Sequence, residues 1–242
     1  MKKIYIVLAA AIVAVFALVL TGFINQKKLE NEKNQSGILL AFDDYNEQNW
    51  ESYFDLFDQY DVRVTFFVNA YYPTEFCLRA IECGHEIGFH TLGHANLREV
   101  TKEEFIVQAI DPIEVFKEHG VELTSFAYPY GAYEAWMNEE LLEHYDVVRG
   151  AYYYQLYNKS EFQKEFVESK PIDNYYYATD EAFQEDITQM LTEASQNEGT
   201  IVSLYSHAID GGDWCVSAER LEYIFQKAKE LNLKFYIYKD LQ

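Results

Sequence analysis

The stretch GHEIGFHTLGH at residues 84–94 places two histidines, His90 and His94, four residues apart, directly after a short apolar segment that contains a glycine. Such a segment is typical of a strand that leaves a sheet at its rim. Catalytic zinc ions commonly take three protein ligands, imidazole and carboxylate among them, and keep a fourth position for water. The pair therefore predicts two ligands of a metal site, with an Asp or Glu at another strand end as the third.

Two adjacent carboxylates follow another strand candidate. Residues 37–42, GILLAF, form a short apolar run that predicts a buried strand, and the chain continues directly into Asp43 and Asp44. Neighbouring carboxylates repel each other unless a cation lies beside them. They also suit a division of labour, in which one binds the metal and the other takes a proton from its water. We expect this strand end to complete the metal site.

These two stretches together, AFDD at 41–44 and GHEIGFHTLGH at 84–94, resemble the motifs of the polysaccharide deacetylases of carbohydrate esterase family four. Members of this family are metal-dependent esterases that remove acetyl groups from N-acetylated glycans. The resemblance covers the chain from about Gly37 to its last residue.

The resemblance implies a role for each of these side chains. Asp44, His90 and His94 are expected to hold a divalent metal, and Asp43, beside the metal but not bound to it, is expected to act as the general base. Two imidazoles and one carboxylate suit zinc best, with cobalt and nickel as alternatives.

Two later segments match further family motifs. FAYPYG at 126–131 is a strand end interrupted by proline and glycine, which takes the backbone out of ladder pairing and can leave an amide facing an oxyanion. The family implies that Pro129 and Tyr130 line the groove and that the Tyr130 amide stabilises the tetrahedral intermediate. IVSLYSH at 201–207 resembles the leucine-and-histidine motif, which implies substrate binding by Leu204 and general-acid catalysis by His207.

The sequence also departs from the family at two places. The arginine that commonly precedes the Pro-Tyr pair by two positions is Ala127 here, and we expect Arg149 to replace it as the cation that pairs with Asp43. The family's fourth motif, which carries an Asp and a Trp, has no convincing match. Both departures concern groups that support catalysis rather than the metal ligands.

Helix and strand candidates alternate along the chain, which predicts a parallel sheet, closed or open. We expect an α/β fold, an irregular (β/α)7-type barrel, as the resemblance also implies. Predicted helices lie near 50–57, 74–83, 101–118, 135–144, 180–196 and 217–231, and predicted strands near 37–42, 62–68, 85–88, 125–127, 147–150, 200–205 and 234–238. Active sites of such barrels lie at the carboxyl ends of the strands, where the motifs fall.

The N terminus predicts a membrane segment. Residues 4–24 are uncharged and mostly apolar, and would span about 31 Å as a helix. We expect an uncleaved anchor over residues 1–26, with a cleaved signal peptide as the alternative, followed by a linker at 27–36 and one catalytic domain at 37–242. The protein is then a single-pass cell-membrane protein with an extracytoplasmic catalytic domain, or a secreted one if the segment is cleaved.

Charge limits the partners. Beyond the predicted anchor the chain carries 40 acidic and 17 basic side chains, a formal charge of −23, which argues against a nucleic-acid partner. The acidic surface either favours cationic, deacetylated glycan or simply aids solubility. The expected partners are an acetylated polysaccharide and the membrane, with a monomeric catalytic domain. The tyrosine runs at 152–154 and 175–177 either stack on sugar rings or face the core, and Trp214, which follows Gly211, Gly212 and Asp213, is a candidate lid residue.

Three functions agree with these observations. The first is the removal of N-acetyl groups from a polysaccharide that contains N-acetylglucosamine, in a cell wall or an exopolysaccharide. The second is O-acetyl esterase activity on xylan or another acetylated glycan, and the third is a glycan-binding module without turnover. The O-acetyl esterase could use the same metal and the same general base, because an alkoxide is a better leaving group than an amine.

Overall fold

The computed structural model describes residues 20–22, 26, 34–162 and 165–241. The chain divides into two units, Met1–Gln35 and Ser36–Gln242. Almost all of the predicted anchor and linker lie outside the described residues, so both stay predictions. Within the part of the chain that is described, no helix combines the length and the apolar character needed to cross a bilayer.

The second unit is an α/β structure built on one curled, mostly parallel sheet, which confirms the predicted class. The central strands lie side by side in chain order and run parallel: β1 (Gly37–Asp44), β2 (Thr65–Val68), β3 (Glu86–Phe89), β4 (Ser125–Ala127) and β5 (Val147–Arg149). On the other edge of β1 lies β9 (Thr200–Ser206), and the start of β1 also pairs with β12 (Lys234–Tyr236).

Helices cover the outer face of this sheet. They are α1 (Glu47–Glu51), α2 (Phe54–Gln59), α3 (Glu75–Glu82), α4 (Lys102–Ala109), α5 (Pro112–Glu118), α6 (Ala135–His144), α7 (Asp180–Gln196) and α8 (Ala218–Glu230). A capping box at Thr101 and Glu104 begins α4. The buried side chains of α7 include Phe183, Ile187, Leu191 and Ala194, at helical spacing, so one face of this helix packs on the core.

Short strands between β5 and α7 curl the sheet into a half-barrel. β7 (Glu165–Val167) pairs with β5, and β8 (Lys170–Pro171) pairs with β9, so the segment 165–171 contacts both edges of the curled sheet. β6 (Leu156–Asn158) is antiparallel to β9, and β10 (Ala208–Ile209) pairs with β11 (Cys215–Val216). The sequence did not predict these strands because two or three residues carry no readable period.

Alternate residues of each strand face opposite sides of the sheet. In β1, Leu39 and Ala41 pack inside the curl, whereas Leu40 and Phe42 pack beneath the helices. The same alternation turns Asp43 toward the interior at the carboxyl end. The alternation along β1 therefore places the charged side chain of Asp43 at the open end of the half-barrel.

Two predicted helices are each divided in the structure. The segment around Trp50 and Phe57 forms α1 and α2, because the amides of Ser52 and Tyr53 bond three residues back, to Asn49 and Trp50, and tighten the turn. The predicted helix 101–118 breaks before Pro112, which lacks the N–H that a continuous helix requires.

Candidate active site

The carboxyl ends of the parallel strands enclose a cavity of about 310 Å³. The six predicted residues Asp43, Asp44, His90, His94, Tyr130 and His207 line it together. Parallel strands present their carboxyl ends at one edge, which is why motifs far apart in sequence meet here.

Asp44, His90 and His94 form a group suited to a metal ion. Nε2 of His94 lies 3.2 Å and Nε2 of His90 lies 3.6 Å from Oδ1 of Asp44, and the candidate ligand atoms all lie within 4.8 Å of one another. Asp44 Oδ1 is buried and accepts no hydrogen bond from the described residues. Two imidazole nitrogens around an unpartnered carboxylate oxygen fit a divalent cation such as zinc.

The protonation of His90 also suits a metal ligand. Burial lowers the pKa of His90 to about 3, which keeps the ring neutral. Its Nδ1 lies 2.8 Å from the carbonyl oxygen of Ala127, and only an N–H can bond to a carbonyl. The proton therefore lies on Nδ1, and Nε2 keeps a free lone pair toward Asp44.

A tight left-handed turn brings the two histidines together. Thr91, Gly93 and His94 have φ values of 64°, 66° and 62°, and the two imidazole centroids lie 5.0 Å apart. The Thr91 hydroxyl accepts a bond of 2.8 Å from the amide of Ala95, which fixes the turn. A β-branched residue is rare in this region of backbone space, so strain is stored at this turn.

Asp43 forms a buried ion pair with Arg149. Nη2 of Arg149 donates to Oδ2 of Asp43 at 2.5 Å, and the guanidinium lies between the rings of Phe67 and Tyr205, with centroids at 5.1 and 4.5 Å. The predicted contact between Arg149 and Asp43 is therefore present. Burial raises the pKa of Asp43, and the charge of Arg149 opposes this rise. Asp43 Oδ1 accepts no hydrogen bond from the described residues, so one oxygen remains available.

Tyr130 lines the cavity and has a left-handed backbone conformation, with φ 61° and ψ 7°. The hydrogen bonds of its turn come from the amides of Gly131 and Ala132, and the Tyr130 amide takes part in none between described residues. The Tyr130 ring stands edge-on to His94, with centroids 4.5 Å apart. This turn leaves an amide for an external acceptor.

His207 is paired with a carboxylate that the sequence did not reveal. Its Nδ1 lies 3.0 Å from Oδ2 of Asp173, which is fully buried and also accepts bonds from the Ser206 hydroxyl and the His207 amide. Burial alone would lower the pKa of His207, but the bond and charge of Asp173, helped by Asp43, outweigh it and raise the pKa to about 9. The imidazolium therefore persists at neutral pH.

Two predicted site residues lie elsewhere. Leu204 is fully buried in the core beneath the helices, because successive residues of β9 alternate between the two faces of the sheet and its neighbour Tyr205 faces the interior. Pro129 is also buried and shapes the turn, but it is not among the described residues that line the cavity. The side chains of Tyr152, Tyr205 and Trp214 line the cavity instead.

No sequence pattern identified Asp173 as a site residue, and Trp214 was expected only as a lid residue. Asp173 follows β8, a two-residue strand, and Trp214 lies in the loop between β10 and β11. Its ring stands edge-on to His207 at 5.9 Å. A single buried Asp next to a short strand has no spacing to identify it, so only the fold brings it to His207.

The chain is similar to one known protein family and to several solved structures. The polysaccharide deacetylase family model matches residues 30–145, which contain Asp43, Asp44, His90, His94 and Tyr130. This match supports the assignment of the protein as a hydrolase of the deacetylase class. No curated protein sequence is significantly similar to the chain.

Three solved structures have a similar fold. The Bc1960 peptidoglycan N-acetylglucosamine deacetylase is 19% identical, over 86% of this chain and 89% of that one, with a TM-score of 0.61. The chitin deacetylase of the fungal pathogen Colletotrichum lindemuthianum is 16% identical, over 86% and 88%, with a TM-score of 0.62. The Xyl-CE4 domain of a multidomain xylanase from the hindgut metagenome of Trinervitermes trinervoides is 18% identical, over 86% and 90%, with a TM-score of 0.60. At these identities the similarity establishes the fold.

Proposed function

We propose that this protein hydrolyses N-acetyl groups of a polysaccharide that contains N-acetylglucosamine, in a cell wall or an exopolysaccharide. One observation carries the proposal. Asp43, which is paired with the buried Arg149, and His207, which is paired with the buried Asp173, line the same cavity as the three candidate metal ligands. This arrangement offers a base and an acid around one reacting centre.

Asp44, His90 and His94 would hold the divalent cation, with zinc the best match to their ligand atoms. When bound, such an ion polarises the acetyl carbonyl and lowers the pKa of water. The neutral Nε2 of His90 and the unpartnered Oδ1 of Asp44 are the donor atoms that this role requires.

The remaining residues move protons and stabilise charge. Asp43, oriented by Arg149, accepts a proton from the attacking water as the new C–O bond forms. The Tyr130 amide donates a hydrogen bond to the acetyl carbonyl oxygen as negative charge develops on it. His207 then gives its proton to the nitrogen as the C–N bond breaks, which releases acetate and a free amino sugar.

The protonated state of His207 favours amides over esters. An amine is a poor leaving group until its nitrogen is protonated, and a pKa of about 9 supplies an acid at neutral pH. An ester has less need of this acid. Acetylated xylan is therefore the contrasting substrate for the test.

The location of the protein is part of the proposal. The apolar residues 4–24 support an anchor or a signal segment, which would place the catalytic domain outside the cytoplasm, where structural polysaccharides occur. This placement is tested by comparing the amount of acetate that intact cells release with the amount that lysed cells release.

The test of function measures acetate release by the full-length protein from N-acetylglucosamine oligomers and from acetylated xylan. The protein is stripped with a chelator and then given zinc, and Asp43→Asn is compared with Asp55→Asn, a change at an exposed aspartate. We expect zinc-dependent release from the oligomers that is lost only in Asp43→Asn. Release from xylan alone would replace the proposal with an O-acetyl esterase, and release from neither would leave a glycan-binding module.

A further inference from the structure

Helix α1 is hydrogen-bonded to the segment that carries His207. The side-chain amide of Asn49 forms two bonds with the backbone of Ile209: Nδ2 donates to the carbonyl oxygen at 2.7 Å, and Oδ1 accepts from the amide at 2.8 Å. Nε1 of Trp50 donates to the carbonyl oxygen of His207 at 2.6 Å. We call Asn49 and Trp50 the α1 clamp. Neither side chain has a part in the chemistry above.

The segment that the clamp holds lies beyond the long parallel ladder. Strand β9 ends at Ser206, directly before His207. In the described part of the chain, β10 has two residues and pairs with β11 alone. Ile209 is fully buried, and a buried backbone amide and carbonyl need hydrogen-bond partners. Asn49 supplies both partners, as the facing residue of an antiparallel strand would.

The core fixes the position of the clamp. Trp50 is fully buried, and its ring stacks on that of Phe66 in β2, with centroids 5.1 Å apart. Tyr53, two residues after the end of α1, adds a bond from its hydroxyl to Oδ2 of Asp210 at 2.7 Å. Because a close-packed core leaves the indole little freedom, the carbonyl of His207 is tied to a fixed point.

The clamp connects the two halves of the reacting centre. Strand β1 ends with Asp43 and Asp44, and α1 begins three residues later. The bonds to Asp173 hold the ring and the amide of His207, whereas the clamp holds the His207 carbonyl and the chain that follows it. A general acid must lie within hydrogen-bond reach of the atom that it protonates. The backbone on both sides of the acid is therefore fixed relative to the base.

We infer that Asn49 and Trp50 are positioning residues for the general acid and set the preference for amides over esters. They keep the imidazolium of His207 directed at the leaving nitrogen. An alkoxide needs less help from an acid, so misplacement of His207 costs amide hydrolysis more than ester hydrolysis. This inference deepens the proposed function and rests on it for the role of His207.

The kinetic test measures zinc-dependent kcat of the full-length protein for the N-acetylglucosamine tetramer and for 4-nitrophenyl acetate, an ester whose leaving group needs no acid. We expect Asn49→Ala to lower kcat about 30-fold for the tetramer and less than about threefold for the ester. Gln48→Ala is the matched control, since Gln48 is an exposed amide on the same helix, and it should leave both values unchanged. An equal fall for the two substrates, or an unchanged value for the tetramer, would overturn the inference.

Two further variants keep the test decisive if Asn49→Ala does not fold. Asn49→Asp keeps an acceptor for the Ile209 amide but loses the donor to the Ile209 carbonyl, and Trp50→Phe keeps a buried ring but loses the donor to the His207 carbonyl. Each should lower kcat for the tetramer about tenfold, with a smaller effect on the ester. Circular dichroism checks the fold. Folded variants that retain the parent ratio of amide to ester hydrolysis would contradict the inference.

A double-mutant cycle shows whether the clamp acts through the acid. Asn49→Ala should lower kcat for the tetramer about 30-fold in the parent protein but less than about threefold in His207→Gln, because no acid then remains to be positioned. Equal effects in the two backgrounds would exclude His207 as the group through which Asn49 acts.

Hydrogen exchange separates the inference from the proposed function. The Ile209 amide should exchange roughly tenfold faster in Asn49→Ala than in the parent protein or in Gln48→Ala, because its bond to Asn49 Oδ1 is lost. Absence of acetate release from the tetramer by the parent protein would contradict the proposed function. Faster exchange at Ile209 would in that case still support the clamp, and unchanged exchange would refute it.

Discussion

Arg149 lies directly opposite Ala127 in the register of strands β4 and β5, and its guanidinium reaches Asp43 at 2.5 Å. Ala127 occupies the position at which the resemblance expects the arginine. The two positions face the same interior, so a long side chain from either strand can reach the base. The cation is retained, although it comes from the neighbouring strand.

Replacement of Arg149 by methionine tests this pairing. Because the charge of Arg149 lowers the pKa of Asp43, the variant should move the acid limb of the pH–rate profile to higher pH and lower kcat at neutral pH by about 100-fold. Lys170→Met is the control, since Lys170 bonds to Asp186 at the surface at 3.1 Å. An acid limb that stays in place would rule out this role.

The register relationship predicts that the arginine can be exchanged between strands. The double variant Ala127→Arg with Arg149→Ala should regain part of the activity that Arg149→Ala loses, because both positions are opposite each other and buried. Circular dichroism checks that each variant folds, and kcat measures the recovery. Equal activity of the single and double variants would show that strand β5 alone can orient Asp43.

Asp173 controls the acid. Asp173→Asn removes the negative charge that helps to raise the pKa of His207 to about 9 and leaves only a neutral amide oxygen to accept from Nδ1, while the burial that lowers the pKa remains. His207 then loses its proton at lower pH, so the basic limb of the pH–rate profile should shift downward by one unit or more. Amide hydrolysis at pH 8 should fall further than hydrolysis of an acetyl ester.

The matched control for this change is Asp186→Asn. Asp186 bonds to the Tyr177 hydroxyl at 2.7 Å and lies away from the acid. Its profile should match that of the parent protein. A basic limb that is the same in Asp173→Asn and in the parent protein would remove Asp173 from the mechanism.

Metal binding should be visible in stability as well as in activity. A ligand at 100 times its Kd stabilises the folded state by about 2.7 kcal/mol, so zinc added to the chelated protein should raise Tm by roughly 5–10 °C. His94→Asn should abolish the rise, and His119→Asn, at an exposed histidine, should keep it. An equal rise in both variants would place the metal elsewhere.

His85 should make the fold sensitive to acid. Burial lowers its pKa to about 4, its Nδ1 accepts a bond from the Val64 amide, and the rings of Phe54 and Phe57 surround it. His85 binds a proton less readily in the folded state than in the unfolded state. Its contribution to the free energy of unfolding is therefore complete above pH 6.5 and falls as the pH drops toward 4. The loss reaches about 3 kcal/mol.

Urea unfolding at pH 7 and pH 5 measures this effect. The free energy of unfolding should decrease less between the two values in His85→Phe than in the parent protein, whatever the starting stability of the variant. His144→Gln, at an exposed histidine, is the control and should keep the full decrease. Identical pH dependence in His85→Phe and the parent would assign the acid sensitivity to other groups.

The residues at the centre of the site could be predicted from the sequence because they lie at the ends of strands. Asp43, His90 and His207 each end or follow a strand long enough to be recognised, and parallel strands bring those ends together. The α/β class was readable for the same reason. Arg149 was predicted because the family arginine is absent at Ala127, and Asp43 therefore needs another cation as its partner.

The remaining parts depend on contacts that no local pattern encodes. Asp173 lies in the segment 151–179, where short strands and single turns replace the regular alternation. Leu204 was assigned from its position in the motif, although the alternation of side chains along β9 puts it in the core beneath the helices. Helix division at Ser52 likewise arises from hydrogen bonding within a turn rather than from residue type.

The left-handed residues around the cavity have a consequence for redesign. Asp44, His94, Tyr130 and Tyr152 line the cavity with φ between 61° and 86°, and they are half of the eight non-glycine residues with positive φ in the described part of the chain. Glycine at any of them would relieve backbone strain and is a change that selection for thermostability alone would favour. The same change would remove a ligand or loosen the wall of the cavity. Resistance to heat and catalytic competence therefore compete at these four positions.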